Sequence, residues 1–188
     1  MSDRIIVVSQ NLLKYSIDIP LDAVLRVNLA WHEDLNSVRE LLEEYQAYRI
    51  FLDVPIGRKK PPNSEHSFKN ITKLIREFSN VEYVAISNVE SARAVEYFQG
   101  VIFKNVKIVP KIETYLGVQV ADEILFALNY HPEVLMLDHQ DLYSDLVRIN
   151  KEKDYLKVVK DLMTICINRK AQLLRTIGVI FSTDFREN

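Results

Sequence analysis

The sequence is poor in glycine, with four glycines in 188 residues. Glycine-rich phosphate loops need several glycines at set spacing, so a Walker-type or dinucleotide-binding loop is excluded. Cysteine is scarcer still, because Cys166 is the only one. An intrachain disulfide is therefore impossible, and Cys166 is best interpreted as apolar filler in a helical stretch.

Long apolar runs and an excess of one charge are also missing. No run approaches the about 18 apolar residues that a transmembrane helix requires, and the first residues do not resemble a secretory signal. The net charge of −2 gives no indication of a nucleic-acid or membrane surface. We therefore expect a cytoplasmic protein with no membrane partner and no nucleic-acid partner.

Apolar, β-branched runs alternate with helical patterns along the chain, which predicts a parallel α/β fold in a single domain, 1–188. The predicted strands lie near 4–8, 23–29, 49–53, 82–87, 106–111, 134–138 and 176–182. The predicted helices lie near 34–47, 67–78, 89–98, 118–130 and 153–171. The segment 54–66 holds three prolines and is predicted to be a loop. We expect a TIM-like barrel with seven recognisable strands, no lid domain and no C-terminal regulatory domain.

Two predicted strands are each followed by carboxylates. Glu113 follows the strand at 106–111, and Asp141 follows the strand at 134–138. Carboxyl ends of neighbouring parallel strands converge at one mouth of a barrel, and two carboxylates there could hold one Mg²⁺. Asp138 and Asp145 flank Asp141, either as a third ligand or as acids that complement the dipole at a helix N-terminus.

Several short segments resemble the catalytic barrel of the pyruvate kinase family, and the carboxylate pair is shared with the related citrate-lyase-like 2-oxo-acid aldolases. The strongest segment is Lys111-Ile112-Glu113 with Gly117. The others, in chain order, are 4–8, 26–29, 51–53, 84–92, 141–142 and 179–183. The resemblance implies an enzyme that acts on pyruvate, phosphoenolpyruvate or a related 2-oxo acid through a metal-stabilised enolate.

The resemblance also implies a role for each matching residue. Glu113 and Asp141 would bind Mg²⁺ or Mn²⁺, and Lys111, Arg26 and Thr183 would be catalytic. The residues that would contact the small-molecule ligand or its ions are Arg26, Asn28, Asp53, Ser87, Gln140, Asp141 and Thr183.

The sequence departs from the family pattern at several positions. Gln140 replaces a glycine, and Ala30 and Val54 lack the oxygens of a monovalent-cation site. An alternative to the enzyme is therefore a catalytically degenerate homologue that binds a ligand or a protein. His139 and His32 follow strands, where each is either a general base or, more commonly, a structural histidine.

Seven strands fall short of the eight of a complete barrel, and the edges of the first and last would lack a partner. We therefore expect a homo-oligomer, with a two-fold dimer as its simplest form, or a partner protein that closes the barrel.

Overall fold

A computed structural model of the chain describes residues 5–15, 18–56, 66–102 and 105–175, and its organising element is one parallel sheet. Seven strands pair in chain order. They are β1 (Val7–Ser9), β2 (Val24–Asn28), β3 (Arg49–Val54), β4 (Val81–Ile86), β5 (Lys107–Ile112), β6 (Val134–Leu137) and β7 (Gln172–Arg175). Every neighbouring pair is parallel, so all seven carboxyl ends lie at the same edge of the sheet.

Helices connect most of the strands. They are α1 (Leu35–Glu44), α2 (Phe68–Glu77), α3 (Ala92–Val101), α4 (Tyr115–Gln119), α5 (Ala121–Phe126), α6 (His139–Arg148) and α7 (Tyr155–Arg169). Most begin at a side chain that accepts a hydrogen bond from a free N–H of the first turn, as N-cap residues do. These caps are Asp34, Ser67, Ser91, Thr114 and Asp138.

The two faces of the sheet bury two separate apolar clusters because side chains alternate along each strand. The outer cluster packs under the helices and holds most of the core. The inner cluster consists of Val24, Phe51, Tyr83, Ala85, Val109, Val134 and Met136. Residues from β1 and β7 also pack against it, so the sheet is strongly curled.

The structure is an open half-barrel, which confirms the parallel α/β class and corrects the prediction of a TIM-like barrel. Within the described residues, no strand pairing joins β1 to β7. A backbone-to-side-chain hydrogen bond does link these edges, from the Ile5 N–H to Gln172 Oε1 at 3.4 Å. The ends of the curled sheet therefore approach each other without forming a ladder.

Two elements differ from the sequence prediction. The last strand is Gln172–Arg175, and the predicted strand at 176–182 lies outside the described residues. α6 is missing from the predicted helices, although the interpretation of Asp138 and Asp145 as acids at a helix N-terminus implies a helix here. Its buried residues are Leu142 and Leu146, a four-residue spacing that a helix requires.

Within the described residues, no helix is both long enough and apolar enough to span a membrane.

Candidate metal centre

A buried group of four charged side chains lies at the carboxyl edge of the sheet. Lys111 Nζ is 2.9 Å from Glu113 Oε1 and 3.3 Å from Asp53 Oδ1. Asp53 in turn accepts hydrogen bonds from Arg26, including one from Nε at 3.1 Å. Asp53, Lys111 and Glu113 are almost completely buried, whereas 20% of the Arg26 side chain is exposed. We call these four residues the ionic quartet, and Arg26 is its solvent-facing member.

Strand geometry explains why these residues meet. Inner-cluster residues are followed two positions later by polar residues on the same face of the sheet. Val24 precedes Arg26, Phe51 precedes Asp53, and Val109 precedes Lys111; the same spacing leads from Ala85 to Ser87 and from Met136 to Asp138. The inner face therefore changes from apolar to polar at one level, near the carboxyl end of the strands.

Burial and charge act against each other on the quartet. Burial favours the uncharged form of Asp53, but Lys111 and Arg26 outweigh it and lower the pKa of Asp53. Burial likewise disfavours charged Lys111, but Asp53 and Glu113 outweigh it and raise the pKa of Lys111. Burial dominates at Glu113 and raises its pKa, with Asp138 adding to the effect. Glu113 is thus the carboxylate least satisfied in its ionised form.

Three carboxylates meet beside this quartet. Glu113, Asp138 and Asp141 each offer an oxygen, and these oxygens lie within 4.8 Å of one another. Oxygens on opposite sides of an octahedral Mg²⁺ lie about 4.2 Å apart, at about 2.1 Å from the metal each. Oxygen donors are what Mg²⁺ and Mn²⁺ prefer. The donor set and the spacing fit one divalent cation after small side-chain movements.

Sequence reasoning paired Glu113 with Asp141, and the structure adds Asp138 to them. Asp138 also caps α6, because its Oδ1 accepts the N–H of Gln140 at 3.1 Å and that of Asp141 at 3.2 Å. The structure confirms Asp138 at the N-terminus of α6, and its place in the cluster leaves a role as third metal ligand as a prediction. Its inward position could have been found from the two-residue spacing Val134, Met136, Asp138. Asp145 is not in the cluster; it accepts the N–H of Tyr115 and pairs with Arg148.

The backbone around Glu113 is tightly constrained. Glu113 Oε2 accepts the N–H of Asn88 at 2.7 Å, and Asn88 has a φ of 52°, a left-handed conformation that asparagine tolerates better than most residues. Gly117 in α4 packs against the same turn. A Cβ on Gly117 would lie 2.9 Å from the carbonyl oxygen of Val89, so the close approach requires glycine.

The remaining predicted site residues are placed differently. Ser87 belongs with the quartet, because Lys111 Nζ donates to its Oγ at 3.2 Å. Asn28 is buried at the end of β2, and its side chain caps a 3-10 turn through Ala30 N–H. Gln140 is exposed in the first turn of α6. Thr183 lies outside the described residues.

Both histidines proposed as possible bases have hydrogen-bond partners at each ring nitrogen. His139 contacts Tyr155 through Nδ1 at 2.5 Å and accepts from Arg175 Nε at its Nε2 at 2.9 Å. His32 lies between Gln10 and Ser37. Burial lowers the pKa of both rings. These contacts favour the structural interpretation of the two residues.

Comparisons with known proteins give a fold but no family. No family model matches the chain, and no curated protein matches it. Among solved structures, the chain is similar to RipC from Yersinia pestis, with a TM-score of 0.56 and 12% sequence identity. The alignment covers 84% of this chain and 72% of RipC. At this identity the likeness concerns the fold alone.

The predicted membership in the pyruvate kinase-like family is wrong by these comparisons. The chain shows a structural likeness to RipC, and its seven strands form an open half-barrel that is not clearly a pyruvate kinase-like barrel. The physical reason lies in the matched segments. An apolar strand that ends in a polar residue is common to parallel α/β folds with sites at their carboxyl ends. Ordered short matches of that kind therefore do not identify one family.

Proposed function

We propose that the protein is a divalent-metal-dependent enzyme that acts on a small 2-oxo acid or a phosphoenolpyruvate-like anion. The carboxylate cluster of Glu113, Asp138 and Asp141 supports this proposal, because their oxygens lie within 4.8 Å of one another at the carboxyl edge of the sheet. Mg²⁺ or Mn²⁺ held there would stabilise the negative charge that develops on an enolate oxygen.

Arg26 and Lys111 supply the positive charge that an anionic substrate needs. Arg26 is partly exposed and is held in place by Asp53, so its guanidinium can bind a carboxylate or phosphate without losing its position. Lys111 is buried between two carboxylates. It would act as a fixed positive charge that stabilises a developing oxyanion.

The first experiment measures metal binding. We expect Mn²⁺ to raise the melting temperature, and oxalate, an enolate mimic, to enlarge the shift. Asp141→Asn should reduce the Mn²⁺ effect, because it removes a ligand charge without touching the ionic quartet. Glu123→Gln is the matched control, since Glu123 is an exposed carboxylate on α5. Equal Mn²⁺ shifts in wild type and Asp141→Asn would rule out this site.

The second experiment measures chemistry. An enzyme that forms an enolate should exchange the methyl protons of pyruvate with D2O in the presence of Mg²⁺, which proton NMR records. Glu113→Gln should abolish the exchange. Metal-dependent exchange that persists in Glu113→Gln would contradict the assignment of this residue.

The alternative is a binding module without turnover, and one observation favours it. Both oxygens of Glu113 already have protein partners, Lys111 at 2.9 Å and the Asn88 N–H at 2.7 Å. These two contacts give Glu113 a structural role that needs no metal. Mn²⁺ and oxalate binding without proton exchange in any 2-oxo acid tested would decide for the binding module.

A further inference from the structure

We propose that Asn88 makes the carboxylate cluster selective for a small octahedral cation such as Mg²⁺ over Ca²⁺, by keeping Glu113 from binding a cation through both of its oxygens. The inference rests on the proposed metal site and concerns which ion that site takes. Ca²⁺ takes about 6–8 oxygen ligands, and these often include both oxygens of one carboxylate. Mg²⁺ is smaller, demands near-ideal octahedral geometry and keeps several waters. The number of oxygens that each carboxylate can give therefore separates the two ions.

The two oxygens of Glu113 have different protein partners. Oε2 accepts the N–H of Asn88 at 2.7 Å, and Oε1 accepts from Lys111 Nζ at 2.9 Å. The lysine ammonium sits on a flexible stem, whereas a backbone N–H moves only when its turn moves. A cation that takes both oxygens of Glu113 must displace the Asn88 N–H, and a cation that takes one oxygen need not.

The turn that carries this N–H is fixed by its surroundings. Asn88 has a left-handed φ of 52°, and the next N–H, that of Val89, donates to the carbonyl oxygen of Lys111 at 3.3 Å. The carbonyl oxygen of Val89 lies against α4, where a Cβ on Gly117 would come within 2.9 Å of it. The turn is therefore held between β5 and α4, and displacing its N–H from Glu113 would disturb both elements.

Asp138 is restricted in the same way. Its Oδ1 accepts the N–H groups of Gln140 and Asp141 in the first turn of α6, so binding a cation through both of its oxygens would cost the N-cap. Two of the three carboxylates in the cluster thus each commit an oxygen to the backbone. One oxygen from each carboxylate leaves an octahedral ion room for water and substrate, but it gives Ca²⁺ fewer protein ligands than its larger shell requires.

Displacement of Mn²⁺ measures the selectivity directly. Free Mn²⁺ gives a sharp EPR signal that is lost when the ion binds the protein, and added MgCl2 or CaCl2 restores it. In wild type, Mg²⁺ should release Mn²⁺ at a lower concentration than Ca²⁺ does. Asn88→Val should lower the ratio of the Ca²⁺ to the Mg²⁺ concentration about tenfold, because a β-branched residue resists a positive φ and the turn must change. Asn88→Gly, which allows the left-handed conformation, should keep the wild-type ratio.

A matched control separates this effect from a loss of stability. Asn150 also has a left-handed φ, of 58°, but it follows the C-terminal end of α6, whereas Asp138 and Asp141 lie at the N-terminal end. Asn150→Val should therefore destabilise the protein and leave the ratio unchanged. If Asn88→Val does not fold, Gly117→Ala moves the same turn through Val89 and should also lower the ratio, whereas Gly100→Ala should not.

The possible outcomes separate this inference from the proposed function. If wild type binds no divalent cation, both are wrong. If Mn²⁺ binding depends on Asp141 but Ca²⁺ releases Mn²⁺ as readily as Mg²⁺ does, the metal site stands and the selectivity inference is overturned. Equal ratios in wild type and a folded Asn88→Val would also overturn it, because the N–H of Asn88 would then not control how Glu113 binds a cation.

Discussion

Replacing Lys111 by methionine tests how much the positive charge of the buried lysine contributes to the stability of the fold. The change keeps a long unbranched side chain and removes the charge together with the hydrogen bond to Ser87. Nζ contacts Glu113 at 2.9 Å and Asp53 at 3.3 Å, and each contact represents on the order of 5 kcal/mol of Coulomb attraction at an effective dielectric constant of about 20. Desolvation cancels much of this in the intact pair. After the substitution, Glu113 is left buried with only the Asn88 N–H and two neighbouring carboxylates.

We expect Lys111→Met to lower the free energy of unfolding by about 3–5 kcal/mol, the usual cost of removing the partner of a buried charge. The measurement is urea denaturation at pH 7, followed by circular dichroism. The cost should shrink under acidic conditions, because protonation of Glu113 relieves the stranded charge. The double variant Lys111→Met/Glu113→Gln should recover part of the loss, and the double-mutant cycle gives the coupling between the two residues.

Two results would refute this reasoning. A loss below about 1 kcal/mol would mean that solvent reaches the quartet, since exposed ion pairs contribute no more than that. A double variant no more stable than Lys111→Met would mean that Glu113 is not the stranded group. In that case Asp53, which retains Arg26, would be the residue to replace next.

Three further predictions follow from the same region. Mn²⁺ affinity should fall as the pH drops through the folded pKa of Glu113, because the metal needs the ionised carboxylate, and burial raises this pKa. Titration calorimetry at several pH values measures the affinity, and an affinity independent of pH would contradict the prediction. Gly117→Ala should destabilise the protein by about 1–3 kcal/mol in thermal unfolding, because the new Cβ would lie 2.9 Å from the Val89 carbonyl oxygen. Gly100→Ala is the control: a Cβ there meets nothing within 4 Å, so this change should stabilise α3 by up to about 1 kcal/mol. Asp138→Asn should keep the N-cap of α6 but bind Mn²⁺ more weakly. Asp138→Ala should lose both the cap and the Mn²⁺ affinity, and its free energy of unfolding should fall by about 1 kcal/mol. Equal Mn²⁺ affinity in Asp138→Asn and wild type would remove Asp138 from the metal site.

The parallel sheet could be predicted from sequence because its signal is local. Most strands are short apolar runs, several of them rich in Val and Ile, and a buried parallel strand needs little else. Six of the seven strands were found this way, within a few residues of their observed bounds. The open edges could also be expected, because only seven strands were predicted. The curl that brings β1 near β7 could not, because it depends on contacts between distant parts of the chain. The missed helix has another cause. Leu142 and Leu146 of α6 have helical spacing, but α6 follows β6 almost directly and was not separated from it in the predicted elements.

The candidate site was partly predictable for a different reason. Glu113 and Asp141 were chosen because each follows a strand, and the structure brings them together. Asp138 was left between two interpretations, although strand alternation places it on the inner face two residues after Met136. An ion pair of Lys111 with Glu113 or Asp53 is an interpretation that the sequence allows, and the structure shows both contacts. The closeness of Lys111 to Asp53 is the less expected of the two, because β3 and β5 are separated by β4 in the sheet. Only the curl of the sheet makes those side chains neighbours.

Charge balance argues for a divalent cation over a monovalent one at the carboxylate cluster. The ionic quartet contains two cations and two carboxylates and is neutral when all four are ionised. Asp138 and Asp141 add two negative charges beside it. A divalent ion neutralises these six side chains, whereas K⁺ or Na⁺ leaves one negative charge next to the buried Glu113. We therefore expect Mg²⁺ or Mn²⁺ to raise the melting temperature where KCl of equal ionic strength does not, as recorded by scanning calorimetry. An equal shift from KCl would show that screening alone relieves the repulsion, and a bound metal would then be unnecessary to explain the cluster.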